Sequence, residues 1–163
     1  MPIPVYLWLK DDAGNDIKGS VDVRGRENSI EVSFFSHDIS LPTDNHTGRI
    51  TRVREHMPIL FEKEIDASST YLYKALTSGQ KLQSAEFIFY RINYAGQEEA
   101  YFTVRLENVH VAAIGPGMYD TKSSYGEQRN HLEFVELHYE KIIWRYLDGN
   151  ITHADSWNNR ETV

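Results

Sequence analysis

Two histidines and two glutamates lie close together in the last third of the chain, and these side chains can bind metal ions. His131, Glu133, Glu136 and His138 offer imidazole and carboxylate groups, which are common ligands of zinc. The segment alternates like a β-strand, in which only residues of equal parity share a face. His131 then falls with Glu133, and Glu136 with His138, so the pattern favours polar residues on a wet strand face. We expect no metal site here.

The other residues that could do chemistry show no pattern of a known site. Five further histidines lack the spacing of metal ligands: His37, His46, His56, His110 and His153. The chain has no cysteine, and it carries no nucleophile elbow, phosphate-binding glycine loop or H-E-x-x-H motif. A pair of carboxylates could act as in a glycosidase, but nothing singles out one pair. We predict no catalytic residue, no metal, no cofactor and no enzymatic activity.

Three arginines with no acid between them form the strongest charge feature. Arg49, Arg52 and Arg54 could contact an anion or nucleic acid, could meet an acidic surface on a neighbouring copy, or could simply be solvated. The whole chain carries 17 Lys and Arg against 24 Asp and Glu, a net charge of −7. Nucleic-acid binding needs a positive surplus, whereas an acidic surface complements a basic arm. We therefore rank the interface between copies first and expect no nucleic-acid partner.

Length and composition indicate one folded domain. The chain has 163 residues, of which 40% are hydrophobic and 25% are charged. It has no apolar run long enough to cross a membrane. Its start, Met1-Pro2-Ile3-Pro4-Val5-Tyr6, lacks the basic and apolar segments of a secretory signal peptide. We expect no membrane insertion and, if the protein leaves its cell, export by another route.

Most of the periodicity is that of strands, with a single helix. Leu72, Ala75 and Leu76 share one helical face, Ser68 or Ser69 can cap the start through its hydroxyl, and Gly79 can close the end. Alternating apolar residues predict seven or eight strands, which favours a mainly β fold, a barrel or a sandwich, with one flanking helix. They lie near residues 5–10, 30–35, 57–65, 87–92, 102–111, 132–146 and 151–157, with a bulge near 107–108.

Two long polar segments do not fit regular structure. They cover residues 41–55 and 115–130. Loops of this length in a small domain are usually functional or are ordered by a partner. Both segments therefore point to assembly.

Several short motifs, in their order and spacing, resemble the Hcp family, the haemolysin-coregulated proteins of the type VI secretion system, and most closely its enterobacterial members. The likeness covers essentially the whole chain. The motifs are Met1-Pro2-Ile3-Pro4-Val5-Tyr6-Leu7, Leu41-Pro42-Thr43-Asp44, Arg54-Glu55-His56-Met57-Pro58, Tyr71-Leu72-Tyr73-Lys74-Ala75-Leu76 with Gly79, Glu140-Lys141-Ile142-Ile143-Trp144 and Asp155-Ser156-Trp157.

The resemblance implies a structural role in secretion. It implies a single domain over residues 1–163, a β-barrel of two sheets with one flanking helix, and a homo-hexameric ring that stacks into a hollow tube. A contractile sheath would drive the tube, tipped by a VgrG spike, and effector proteins would be carried and protected in its lumen. The protein would be cytoplasmic in a Gram-negative bacterium and then secreted without a signal peptide.

The resemblance also implies that the loop at about 41–55 contacts neighbouring subunits. Thr43, Asp44, Arg54 and His56 match the family pattern there, and we add Arg49 and Arg52 because of their charge. The alternative function is a small-molecule-binding β-barrel, which needs an apolar cavity inside one chain. Its lining would include Phe87, Phe89 and Phe102.

Overall fold

The structure, a computed structural model, describes residues 2–157. These residues form eleven strands, one α-helix and a short 3-10 helix at Gly126–Gln128. In chain order the elements are β1 Val5–Lys10, β2 Asp16–Ile17, β3 Ile30–Ser36, β4 Ile39–Ser40, β5 Glu55–His56, β6 Ile59–Glu64, α1 Ser69–Ser78, β7 Lys81–Ile92, β8 Glu98–Gly117, β9 Leu132–His138, β10 Lys141–Tyr146 and β11 Ile151–Ser156.

Six antiparallel strands close into a barrel, in the order β8, β7, β1, β3, β6, β9 and back to β8. The strand β8 spans 20 residues and makes the closure possible. Its first half pairs with β10 and its second half with β9, while β7 pairs with residues 98–110 of β8. β10 and β11 extend the sheet beyond the barrel. The mainly β barrel with one helix is therefore confirmed.

The strand β8 changes partner at Asn108, where the alternation of its buried residues also changes phase. Asn108 has a positive φ of 54°. The pairing with β7 keeps one register on both sides, with Leu82 opposite Val109 and Ser84 opposite Glu107. The predicted bulge at 107–108 is therefore wrong, because a left-handed residue turns the strand without an insertion. Real shifts of register lie elsewhere on β8, opposite Phe89–Tyr90 and at 111–113.

The predicted strand at 132–146 is two strands, β9 and β10, separated by Tyr139 and Glu140. Tyr139 is buried, and its carbonyl accepts a hydrogen bond from the indole N–H of Trp157. The amide of Glu140 donates to the carbonyl of Glu107 at 3.2 Å. The chain crosses here from its pairing with the second half of β8 to its pairing with the first half.

Aromatic rings fill the barrel interior. Phe61 and Phe87 are fully buried, and Phe35 packs edge-on against Phe87 and Phe89 at centroid distances of 5.1 and 5.3 Å. Phe89 in turn contacts Phe102 at 5.7 Å. Such pairs add about 0.5–1.5 kcal/mol each beyond the burial of their area. Phe87, Phe89 and Phe102 therefore belong to a packed core, which disfavours the small-molecule-binding alternative.

The helix α1 packs Leu72 and Ala75 onto the barrel, and Gly79 ends it with a φ of 66°, as predicted. The predicted hydroxyl cap is wrong, although Ser68 occupies the cap position. The hydroxyl of Ser68 donates to the carboxylate of Asp66 at 2.5 Å. The hydroxyl of Ser69 donates instead to Glu133 on β9, at 2.7 Å.

This last contact belongs to a buried ion pair that the sequence did not reveal. Lys63 on β6 and Glu133 on β9 lie directly opposite each other, and their exposures are 0% and 1%. The Lys63 ammonium donates to the Glu133 carboxylate, to the Ser69 hydroxyl at 3.1 Å and to the Glu64 carbonyl at 3.0 Å. It also pairs with Asp66 at 3.1 Å. The expectation that Glu133 lies on a wet face is therefore wrong.

Candidate functional site

The polar segment predicted as a loop at 41–55 is a β-hairpin, here called the arm and defined as residues 39–56. Its base is the pair β4 and β5, with Ile39 opposite His56 and Ser40 opposite Glu55. Further out, Thr43 forms an isolated bridge with Ile50. The arm leaves the barrel after β3 and returns to it before β6.

The tip of the arm is a turn built by Asp44. Its carboxylate accepts from the amides of His46 at 2.8 Å and Thr47 at 2.9 Å, and these hydrogen bonds lower the pKa of Asp44. The Asp44 amide donates to the carbonyl of Arg49, and the Asp44 carbonyl accepts from the amide of Gly48, each at 2.8 Å. An aspartate that accepts from amides two and three residues on is a common turn former. Asp44, and Thr43 through its bridge, therefore shape the tip.

Both legs of the arm expose large apolar side chains. Val53 is 65% exposed and Ile50 59% exposed. The others are Ile39, Leu41 and, just beyond the arm, Met57. A two-stranded hairpin has no core of its own to cover such residues. Contiguous exposed apolar surface commonly marks an interaction site.

The three arginines differ in what they contact. Arg54 binds Asp155 on β11 in a two-point ion pair, with Nε 2.5 Å from Oδ2 and Nη2 2.9 Å from Oδ1. It also donates to the carbonyl of Ser156 at 2.9 Å. Arg52 is exposed and pairs with Glu55 at 3.1 Å. Arg49 is exposed at the tip.

The foot of the arm is attached to the rest of the subunit by five side chains, here called the arm-base cluster: His37, Arg54, His56, Tyr139 and Asp155. His56 lies at its centre, with Nδ1 2.5 Å from the Tyr139 hydroxyl and Nε2 2.8 Å from Asp155 Oδ2. His37 Nε2 lies 2.9 Å from the other side of that hydroxyl. The cluster thus joins the arm to the start of β10 and the end of β11.

The electrostatics of the arm-base cluster fix the charge of three members near neutral pH. Burial, and then the charge of Asp155, raise the pKa of Tyr139, which keeps the phenol protonated. The ion pair with Arg54 lowers the pKa of Asp155, which keeps the carboxylate ionised. Burial, and then the proximity of His56, lower the pKa of His37, which favours the neutral imidazole.

The six residues predicted for an interface therefore divide into two groups. Arg54 and His56 come together at the foot, where they bind residues of their own subunit. Thr43, Asp44 and Arg49 lie at or near the tip, and Arg52 lies between. Sequence reasoning missed three partners at the foot: His37, Tyr139 and Asp155. Their only early signal was Asp155-Ser156-Trp157 in the resemblance, because contacts between residues about a hundred positions apart leave no local pattern.

Replacing Asp155 by asparagine should loosen the foot of the arm. The amide keeps the shape but removes the charge that Arg54 and His56 face, so we expect a loss of about 1–2 kcal/mol in the free energy of unfolding. Urea unfolding followed by tryptophan fluorescence measures this value. Asp148→Asn, in the exposed turn before β11, is the control and should change little. Equal stability of the two variants would contradict the attachment.

Within residues 2–157 no three histidine or acidic side chains come together in a way that could hold a metal ion. No helix among the same residues is both long and apolar enough to cross a membrane.

Comparisons with known proteins agree with the resemblance seen in the sequence. The family model described as "Type VI secretion system effector, Hcp" matches residues 6–146. The "Major exported protein" of Pseudomonas aeruginosa is 32% identical over 157 residues, which cover 96% of this chain and 88% of that protein.

Solved structures give the same result. A double variant of Hcp1 from E. coli EAEC 042 is 60% identical, with a TM-score of 0.86 over 95% of this chain and 99% of that one. Hcp3 from Pseudomonas aeruginosa is 27% identical, with a TM-score of 0.78 over 96% and 99% of the two chains. The chain therefore belongs to the Hcp family and is a secreted subunit of the type VI secretion tube.

Proposed function

We propose that this tube subunit closes into homo-hexameric rings that stack, and that the arm is the element joining neighbouring subunits. Residues 1–163 act as one tube domain, and the 41–55 segment within the arm reaches the next copy. The observation that carries the proposal is the exposed apolar surface of the arm, with Ile50 and Val53 more than half exposed. A subunit that binds the next one through this surface removes it from water.

The residues of the arm have different parts in this proposal. Thr43 and Asp44 shape the tip, while Arg49 and Arg52 meet acidic surface on the next subunit, as the net charge of −7 favours. Arg54 and His56 act indirectly, because they hold the arm at an angle at which it can contact the next subunit. Such a head-to-tail contact closes into a ring by rotation. A stable contact should bury more than about 1,000 Å².

A free sheet edge gives a second reason for assembly. Within residues 2–157, β11 pairs with β10 alone, and Ile151 to Ala154 are exposed along it. Unpaired strand edges invite aggregation unless they are short, charged or covered. A neighbouring subunit in the ring would cover this edge.

The remaining parts of the proposal come from the family. The stacked rings would be tipped by a VgrG spike, driven by a contractile sheath, and would carry effector proteins in the lumen. The protein would wait in the cytoplasm of a Gram-negative cell, would be secreted without a signal peptide, and would act as a structural carrier and not as an enzyme.

The native mass of the purified protein tests the ring. We expect light scattering after size exclusion to give six times the chain mass of 18.9 kDa. A mass equal to one chain at high concentration would contradict autonomous ring formation. A dilution series separates the stacking from the ring, since contacts between rings should be lost before contacts within them.

A further inference from the structure

The arm-base cluster places two histidines within hydrogen-bond distance of one phenol oxygen, and this limits the number of protons that the cluster can hold. His37 Nε2 and His56 Nδ1 both face the Tyr139 oxygen, at 2.9 and 2.5 Å. A phenol has one O–H to donate. Only one of the two imidazole nitrogens can therefore accept from it, and the other must donate.

When both histidines are neutral, Asp155 determines which atom donates and which accepts in each hydrogen bond of the cluster. His56 Nε2 lies 2.8 Å from an ionised carboxylate, which can only accept, so Nε2 carries the proton of that ring. His56 Nδ1 then accepts from the Tyr139 hydroxyl, and the Tyr139 oxygen accepts from His37 Nε2–H. Each of these three contacts is then a hydrogen bond.

One added proton reverses the direction of some of these hydrogen bonds and breaks none of them. A charged His56 donates from Nε2 to Asp155 and from Nδ1 to the Tyr139 oxygen. The Tyr139 hydroxyl rotates and donates to His37, whose neutral ring accepts at Nε2. The cluster thus keeps all its hydrogen bonds with no proton or with one proton added.

A second proton cannot be accommodated in the same way. Both imidazole nitrogens that face Tyr139 are then donors, and the phenol hydrogen has no acceptor within the cluster. Two positive rings also flank one oxygen, and like charges at this range disfavour ionisation. The lowered pKa of His37, caused by burial and then by His56, agrees with this count, although the Met57 backbone and Asp38 act in the opposite direction.

We propose that the arm-base cluster is a proton-counting switch, which holds the arm on the rest of the subunit with at most one added proton and releases it when both histidines are charged. The charged and titratable groups that face the histidines are Arg54 within the arm, Asp38 before it, Tyr139 just before β10, and Asp155 on β11. The consequence for assembly rests on the proposed function, because only an arm that joins subunits would weaken the ring on release.

The direction of the pH dependence follows from the two kinds of group. Released histidine has its ordinary pKa of about 6.5, and docked His37 has a lower one, so its contribution to docking is complete above about pH 6.5 and declines below it. The pKa of docked Asp155 is also lowered, so its contribution is lost only below about pH 4. His37 therefore responds before Asp155 as the solution is acidified.

Methyl NMR of the full-length protein tests the switch. Between about pH 7 and pH 5 we expect the methyl signals of Ile39, Ile50 and Val53 to move to mobile, disordered positions, while those of the buried Ile59 and Ile142 stay unchanged. His37→Gln keeps a polar side chain beside Tyr139 but cannot be charged. It should move the transition at least about one pH unit lower. His131→Gln, at an exposed histidine outside the cluster, should leave the transition where it is.

Arm signals that stay fixed down to about pH 5 in the wild type would overturn the switch, as would equal midpoints in the two variants. Light scattering on the same samples separates this inference from the proposed function. Arm release with an intact ring supports the switch and contradicts the arm as the joint between subunits. Loss of the ring with an unchanged arm contradicts the switch.

Discussion

Replacing Lys63 by methionine is expected to lower the free energy of unfolding by about 3–5 kcal/mol. The substitution leaves the Glu133 carboxylate inside the protein without its cation, and both side chains are fully buried. The Ser69 hydroxyl and Asp66 also lose their contact with the ammonium, so the start of α1 loosens. Urea unfolding of purified protein, followed by tryptophan fluorescence, gives the value.

The double variant Lys63→Met with Glu133→Leu distinguishes the ion pair from simple packing. Because it removes both charges and keeps comparable volume, most of the lost stability should return. Lys81→Met is the matched control, since Lys81 forms a cross-element pair with Glu140 at 2.7 Å but both side chains are substantially exposed. A loss for Lys81→Met as large as that for Lys63→Met would show that burial is not the cause.

Introducing two acids on the arm, Ile50→Asp with Val53→Asp, is expected to convert the assembly into single chains. Both side chains are exposed in the subunit, at 59% and 65%, so the fold should be unaffected. In the proposed ring they are covered by a neighbour, and two buried unpaired carboxylates would oppose the contact. Light scattering should show the mass of one chain, and far-ultraviolet circular dichroism should show the same strand content as the wild type.

The control for this variant is Ile92→Asp, which changes a residue of similar exposure, 60%, at the far end of β7. It should leave the native mass unchanged. Dissociation by both variants would mean that the effect is not specific to the arm. A persistent oligomer in the arm variant would contradict the arm as the joining element.

The fold was predictable where apolar residues repeat locally. Alternation along β1, β3 and β6, and the helical spacing of Leu72 and Ala75, were enough to indicate a mainly β domain with one helix. The phase of β8 changes at Asn108, which has a positive φ, with no insertion relative to β7. The alternation of apolar residues alone does not distinguish such a change of phase from a bulge.

The site was predictable only in part, because its contacts are distant in sequence. The segment 41–55 was recognised as unusual, and Arg54 and His56 were named, but as residues facing another subunit. Their partners, Tyr139 just before β10 and Asp155 on β11, are brought near only in the folded sheet. The part of the arm in assembly stays a prediction.

The long strand β8 also determines when the chain can fold during synthesis. The second half of β8 and the outer edge of β6 stay unpaired until β9, which pairs with both, has been synthesised. Until residues 132–138 have left the ribosome, the nascent chain holds two open sheet edges and an unclosed aromatic interior. Such edges can pair with other chains. Slow translation before this point would therefore lengthen the time during which these edges are open to aggregation.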